Sequence, residues 1–226
     1  MLQPIPADIE SQPPVVPNTH VDELLPDAEV PELHAGTHSS RLAQQRVLTD
    51  PDDADAWHTL ESNYARQATS WRDWTRGQEG YDWPVRAGLA HIAPAAWAVE
   101  LCCGTGEATR AIIEAVPRVV ATDVNTAMLA ERDDIPGVEW RAANVRALPF
   151  ADHGVMLIVA LNGVLFPSEI RRVLSPGGQL LWCTAFGPRT PLYVEPTQIH
   201  RSFGMDWQIL QGRSGHGQWT LLTAPD

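Results

Sequence analysis

Ala98-Val99-Glu100-Leu101-Cys102-Cys103-Gly104-Thr105-Gly106-Glu107-Ala108-Thr109 is the stretch on which the fold turns: a buried-type strand runs into a turn with two glycines and then into a helix. Gly104 and Gly106 let main chain approach a ligand where a Cβ would collide, and the next helix offers free N–H groups to a carboxylate. Asp123 ends the following apolar run, 17 positions after Gly106. An open α/β sheet places a carboxylate there to accept hydrogen bonds from ribose hydroxyls. Met128 follows at a spacing that sets a thioether against an adenine face. A dinucleotide site needs a small residue where Thr109 stands, to pack helix on strand closely. The pattern therefore fits a nucleoside with an amino-acid tail better than a pyrophosphate.

Outward from this stretch, apolar β-type runs alternate with helical ones. Strands are predicted near 97–102, 119–122, 138–140, 156–161, 179–184, 207–211 and 219–223, and helices near 107–115, 126–131, 168–174 and 196–203. Such alternation predicts an α/β, Rossmann-like three-layer sandwich with a mostly parallel sheet covered on both faces. The link from Gly212 to Gly217 is too short for a helical crossover, so the last two strands form an antiparallel hairpin. These elements make a core domain over residues 95–226.

Upstream, residues 53–94 read as a helical, aromatic-rich cap: Asp53 or Asp55 caps a helix carrying Trp57, Leu60, Tyr64 and Ala68 at helical spacing, and a second short helix holds Trp71 and Trp74. Tyr64 and Trp71 are candidate lid residues. Residues 1–45 read as a disordered acidic, proline-rich tail, with seven prolines and seven acids in the first 40 positions and no arginine there. Such a segment buries too little to offset its ordering entropy.

All 16 basic residues are arginine, against 28 acids and a formal charge of -12. An acidic surface without an arginine cluster argues against nucleic-acid partners. Three cysteines, two of them adjacent, make neither a disulfide framework nor a CxxC metal site, so no metal is expected and the compartment is a reducing one. The longest apolar run, 155–166, is too short for a membrane span, and the N-terminus lacks a signal-peptide pattern. A cytoplasmic protein with no membrane partner is expected. Oligomeric state is not encoded in any readable pattern.

Residues 96–223 resemble the class I S-adenosylmethionine-dependent methyltransferases. Glu100, Gly104 and Gly106 resemble that family's first motif, 123–129 its acidic second motif, 144–150 its D-x-x-x-L-P-F segment, and 169–178 its helix, turn and fifth strand. The aromatic cap, Pro191-Leu192-Tyr193 and the 215–219 ending are similar to an actinobacterial group within the family, which names no substrate. The resemblance implies a seven-stranded sheet of order 3-2-1-4-5-7-6 with strand 7 antiparallel. It also implies S-adenosyl-L-methionine as cofactor, with Glu100, Gly104 and Gly106 at the methionine moiety, Asp123 at the ribose, and Val124, Met128, Asn144 and Val145 at the adenine, and Leu161 lining the site.

Three departures from the pattern are visible. Cys102 replaces a glycine, Asn144 an aspartate that accepts from the adenine amino group, and Met156 an aspartate before the fourth strand. No Asn-Pro-Pro-Tyr type motif follows strand four, where Ala160-Leu161-Asn162-Gly163 stands instead, so the acceptor is a small-molecule oxygen, carbon or other nitrogen. Asn162, at the carboxyl edge of that strand, His153 and Tyr64 are the candidate catalytic residues. The alternatives are a non-catalytic cofactor-binding module that uses the acidic tail as its contact, and an enzyme of this fold that uses the cofactor without moving a methyl group.

Overall fold

The computed structural model describes residues 22–23 and 35–226 of the 226-residue chain. Eight strands form a single sheet: β1 Asp22–Glu23, β2 Ala98–Leu101, β3 Val119–Asp123, β4 Val138–Ala142, β5 Val155–Leu161, β6 Leu174–Thr184, β7 Gln208–Ser214 and β8 Gly217–Thr223, in the order β1-β7-β8-β6-β5-β2-β3-β4. Strands β2 to β6 run parallel, while β8 lies antiparallel to both β6 and β7. Counted without β1, this is the seven-stranded order 3-2-1-4-5-7-6 with an antiparallel seventh strand. Asp22–Glu23 extends it by pairing parallel to β7.

Among the described residues eight α-helices flank the sheet: α1 Ser39–Thr49, α2 Ala54–Ala65, α3 Ala68–Arg76, α4 Trp83–Leu89, α5 Thr109–Ala115, α6 Thr126–Ala130, α7 Pro167–Val173 and α8 Pro196–Phe203. Two cores result, one per face, and β5 shows why: Ile158 and Ala160 join α1, α2, α7 and α8, while Leu157, Val159 and Leu161 join α4 and α5. Successive strand side chains point to opposite faces, so a strand covered on both sides is apolar at nearly every position.

One boundary is corrected. The tail expected over 1–45 is shorter than that, because α1 starts at Ser39 and buries Ser40, Ala43, Gln44 and Val47. His38 caps it, its Nδ1 accepting from Ser40 N at 3.1 Å. Gln44 docks the helix by matching its amide to a backbone edge, Oε1 accepting from Leu165 N at 3.0 Å and Nε2 donating to Leu165 O at 3.4 Å. The rest of the expected tail, 1–21 and 24–34, lies outside the described residues. The cap begins as expected, with Asp53 accepting from Ala56 N at 3.0 Å at the start of α2.

Candidate functional site

The carboxyl ends of β2, β3, β4 and β5 meet at one cavity, roofed by α2 and α3. Open parallel sheets bind ligands there because the chain reverses direction at that edge and leaves a crevice. After β2 the chain turns through residues 102–108, with Cys102 at φ 53°, Gly104 at φ 57° and Gly106 at φ 96°. Left-handed backbone costs a cysteine what it does not cost glycine, so the turn carries strain at the position where the related motif has glycine. Cys102 Sγ is tied in by Val164 N at 3.5 Å. Burial, with Asp123 nearby, pushes its thiol up to about 12, so it is neutral.

Asp123 fixes the turn from the neighbouring strand. Its Oδ2 accepts from Gly104 N at 2.8 Å and its Oδ1 from Asn125 N at 2.8 Å. A carboxylate has about four lone-pair sites, so accepting capacity remains for a ligand after these bonds. Burial raises the Asp123 pKa, against the pull of the Asn125, Gly104 and Val124 N–H groups. Glu100 lies deeper, with Oε2 accepting from Thr109 Oγ1 at 2.5 Å, and burial pushes its carboxyl up to about 8. Glu107 accepts from Thr75 Oγ1 at 3.0 Å and from Thr105 Oγ1.

Glu61, Glu100, Glu107 and Asp123 all line this cavity, and among the described residues no arginine or histidine does. Carboxylates gathered in a partly desolvated pocket raise one another's pKa and favour a cationic occupant.

Of the residues singled out in the sequence, Glu100, Gly104, Asp123, Val124, Met128, Asn144, Val145, Leu161, Asn162 and Tyr64 line this cavity. Met128 is buried and Val124 exposed. Asn144 Oδ1 accepts from Arg146 N at 2.9 Å, so its amide oxygen already closes a local turn. Gly106 does not line the cavity: a Cβ there would meet the Trp140 ring at 2.6 Å, so this glycine serves helix–strand packing.

His153 is also excluded. It precedes β5, at the amino edge of the sheet, while the cavity opens at the carboxyl edge about 25 Å of strand away at ~3.3 Å per residue. It is exposed, and its Nδ1 lies 3.1 Å from Leu174 O. Asn162 sits at φ 53° and spends both ends of its amide, Oδ1 accepting from Ala185 N at 2.9 Å and Nδ2 donating to Tyr81 Oη at 2.8 Å. Tyr64 is held well above its ordinary range by burial, with Cys102 adding to it, so it is a hydroxyl and not a base.

Trp57, Leu60 and Trp71, from the segment read as a cap, also line the cavity, and sequence reasoning missed Tyr81 and Asn125. Asn125 caps α6 through Oδ1, but its Nδ2 is buried in the cavity wall without a partner. An orphaned buried donor costs about 1–3 kcal/mol, which a ligand acceptor would recover.

Residues 98–178, from β2 into β6, match the model of a methyltransferase domain family. A curated relative, the 2-phytyl-1,4-naphtoquinone methyltransferase of Thermosynechococcus vestitus, is 34% identical over 140 residues, covering 51% of this chain and 62% of that one. This chain therefore spans less than two thirds of that relative. Among solved structures, a SAM-dependent methyltransferase from Aquifex aeolicus aligns with TM-score 0.54 at 16% identity over 70% of this chain and 97% of its own. A DhpI–SAH complex aligns with TM-score 0.57 at 18% identity, over 73% and 95%.

The chain thus has the class I S-adenosylmethionine-dependent methyltransferase fold. More particularly, residues 98–178 carry the match to a methyltransferase domain, and the DhpI neighbour of the same fold is a complex with SAH, the demethylated form of S-adenosylmethionine. The residues present fit that cofactor, since the cavity pairs a ribose-type carboxylate and an orphaned amide donor with an excess of negative charge. Among the described residues no helix is long and apolar enough to cross a membrane, and no cluster suits a metal ion.

Proposed function

We propose that the protein is an S-adenosylmethionine-dependent methyltransferase acting on a small molecule in the cytoplasm, and that residues 53–94 form the cap over its cofactor. The observation that carries this reading is a lining of four carboxyl groups, Glu100 the one held protonated by burial, with no cationic side chain on it among the described residues. A pyrophosphate would be repelled there, whereas a sulfonium with an ammonium would be attracted. The cytoplasmic placement is supported by three free cysteines, Cys102, Cys103 and Cys183, which a reducing compartment preserves.

In this reading the Asp123 lone pairs left over from Gly104 and Asn125 accept from the ribose hydroxyls. Met128, Val124 and Val145 flank the adenine, and Asn125 Nδ2 and the Asn144 amide meet its polar edge. Gly104 lets the methionine moiety pass, and Glu100 and Glu107 hold its ammonium. The bound cofactor supplies an electrophilic methyl. An acceptor held in line with that methyl by the cap would receive it, and the acceptor's proton, where it has one, would leave to water.

Tyr64 and Tyr81 keep their protons, because burial raises both. The cap therefore works by orienting the acceptor and excluding water, a contribution that reaches several orders of magnitude in rate when the geometry is held. The reading is tested by incubating the purified protein with methyl-labelled S-adenosylmethionine and a small-molecule fraction of a cell extract. Release of S-adenosylhomocysteine with label in a small product is expected. Saturable cofactor binding without any product would favour the non-catalytic module instead.

A further inference from the structure

A second cavity of about 370 Å³ adjoins the first, under α3 and beside the loop after β6. The two share Tyr64, Trp71, Tyr81 and Asn162, so any molecule in the second lies next to the proposed cofactor site. Its walls form a continuous chain of rings: Tyr64 on Trp71 at 5.8 Å, Trp71 on Trp74 at 5.3 Å, Trp74 on Phe186 at 6.2 Å, and Phe186 on Tyr81 at 5.7 Å. Several of these contacts are edge-on, which leaves ring faces available to a flat guest. A cavity of roughly 150 Å³ already holds a benzene ring, so this one has room for two fused rings.

The polar groups on its lining are neutral. Tyr81 keeps its proton and receives the Asn162 amide, so its own O–H is free to donate. His38 Nδ1 accepts from Ser40 N, which places the proton of the neutral ring on Nε2, and burial with the Arg41 charge lowers its pKa. Gln67, Ser70 and Thr190 complete the set, and among the described residues no carboxylate, arginine or lysine lines the cavity. Arg41, on the adjoining helix, is not on the lining, and its guanidinium is spent on the carbonyls of Pro188 at 2.6 Å, Thr190 at 2.5 Å and Pro191 at 3.3 Å.

We infer that this cavity is the acceptor site and that it takes a neutral, planar aromatic molecule of one or two rings bearing an oxygen substituent, stacked by Trp74 and Phe186 with its oxygen at Tyr81. The inference rests on the methyl-transfer reading above. A cationic guest is disfavoured because it would stand beside the sulfonium with no carboxylate to balance it. An anionic guest finds no cation.

The test titrates 2-naphthol, choline and citrate into the full-length protein by calorimetry, with and without S-adenosylhomocysteine. Saturable heat with 2-naphthol and none with the other two is expected. Trp74→Ala and Phe186→Ala line only the second cavity, and each weakens 2-naphthol about tenfold while leaving S-adenosylhomocysteine binding unchanged. Ser70→Trp fills the cavity from an exposed helix position without disturbing the core, so it abolishes 2-naphthol binding alone. Preference for choline or citrate, no saturable probe, or 2-naphthol binding that survives Ser70→Trp overturns the inference. If 2-naphthol behaves as expected but S-adenosylhomocysteine does not bind, the methyl-transfer reading fails and the aromatic site stands.

Discussion

Asp123→Ala separates a structural duty from a ligand duty at one residue. In the wild type the carboxylate accepts from Gly104 N and Asn125 N, both at 2.8 Å. Alanine leaves two main-chain donors without an acceptor at a site that water reaches only partly. Each orphaned donor costs about 1–3 kcal/mol, so the fold loses roughly 2–6 kcal/mol, a fall in melting temperature of about 4–24 °C for a chain of this size. Ligand binding loses a charge-assisted pairing as well, worth about 1.5–3 kcal/mol, or roughly a 10- to 150-fold weaker Kd. Calorimetric titration of S-adenosylhomocysteine at a temperature where circular dichroism shows the variant folded measures the second effect free of the first. Asn162→Ala is the comparator, because its amide is spent on Ala185 and Tyr81, and it weakens S-adenosylhomocysteine about threefold or less. Equal losses in the two variants, or unchanged affinity in folded Asp123→Ala, would refute the placement of the ribose.

Glu100→Gln alters the pH dependence of stability. The folded-state pKa of Glu100 is about 8, above its ordinary 4.5, so its contribution is whole below pH ~4.5 and is lost as pH rises toward 8. Glutamine accepts from Thr109 without ionising, and the variant gains roughly 3–5 kcal/mol on the wild type between pH 5 and pH 8. Melting curves that shift in parallel for the two proteins would sink this. Gln44→Leu leaves Leu165 N and O unpaired and costs about 1–3 kcal/mol, read as a lower denaturant midpoint with an unchanged slope; no change in midpoint would mean that α1 is not docked through that pair. Gly212→Ala places a Cβ 2.5 Å from the Trp219 ring. Its overpacking costs about 1–3 kcal/mol, and a melting temperature within error of the wild type would contradict that packing.

Local chain geometry decided what the sequence revealed. The glycine turn, the strand-end Asp123 and the terminal hairpin are fixed by neighbours in the chain, and each lies where its local pattern predicts. Tyr81, Asn125 Nδ2 and His38 depend on contacts across the fold, which no local pattern displays. Helix α1 escaped because its buried face mixes Ala43 and Val47 with the polar Ser40 and Gln44, so apolar periodicity is faint over Ser39–Thr49. A histidine cap at His38 is outside the usual Ser, Thr, Asp and Asn set. His153 misled because closeness in sequence to β5 says nothing of which end of the strand faces the crevice. Gly106 reads in the sequence as a point of ligand approach, and the Trp140 ring across from it, which no local pattern displays, gives it a packing role instead.

A crystal structure with S-adenosylhomocysteine bound tests the central claim most directly. Both ribose hydroxyls should lie within hydrogen-bond distance of the Asp123 carboxylate, with the amino-acid tail passing Gly104 toward Glu100. A ribose held elsewhere, with the Asp123 oxygens bonded to main chain alone, would contradict the account.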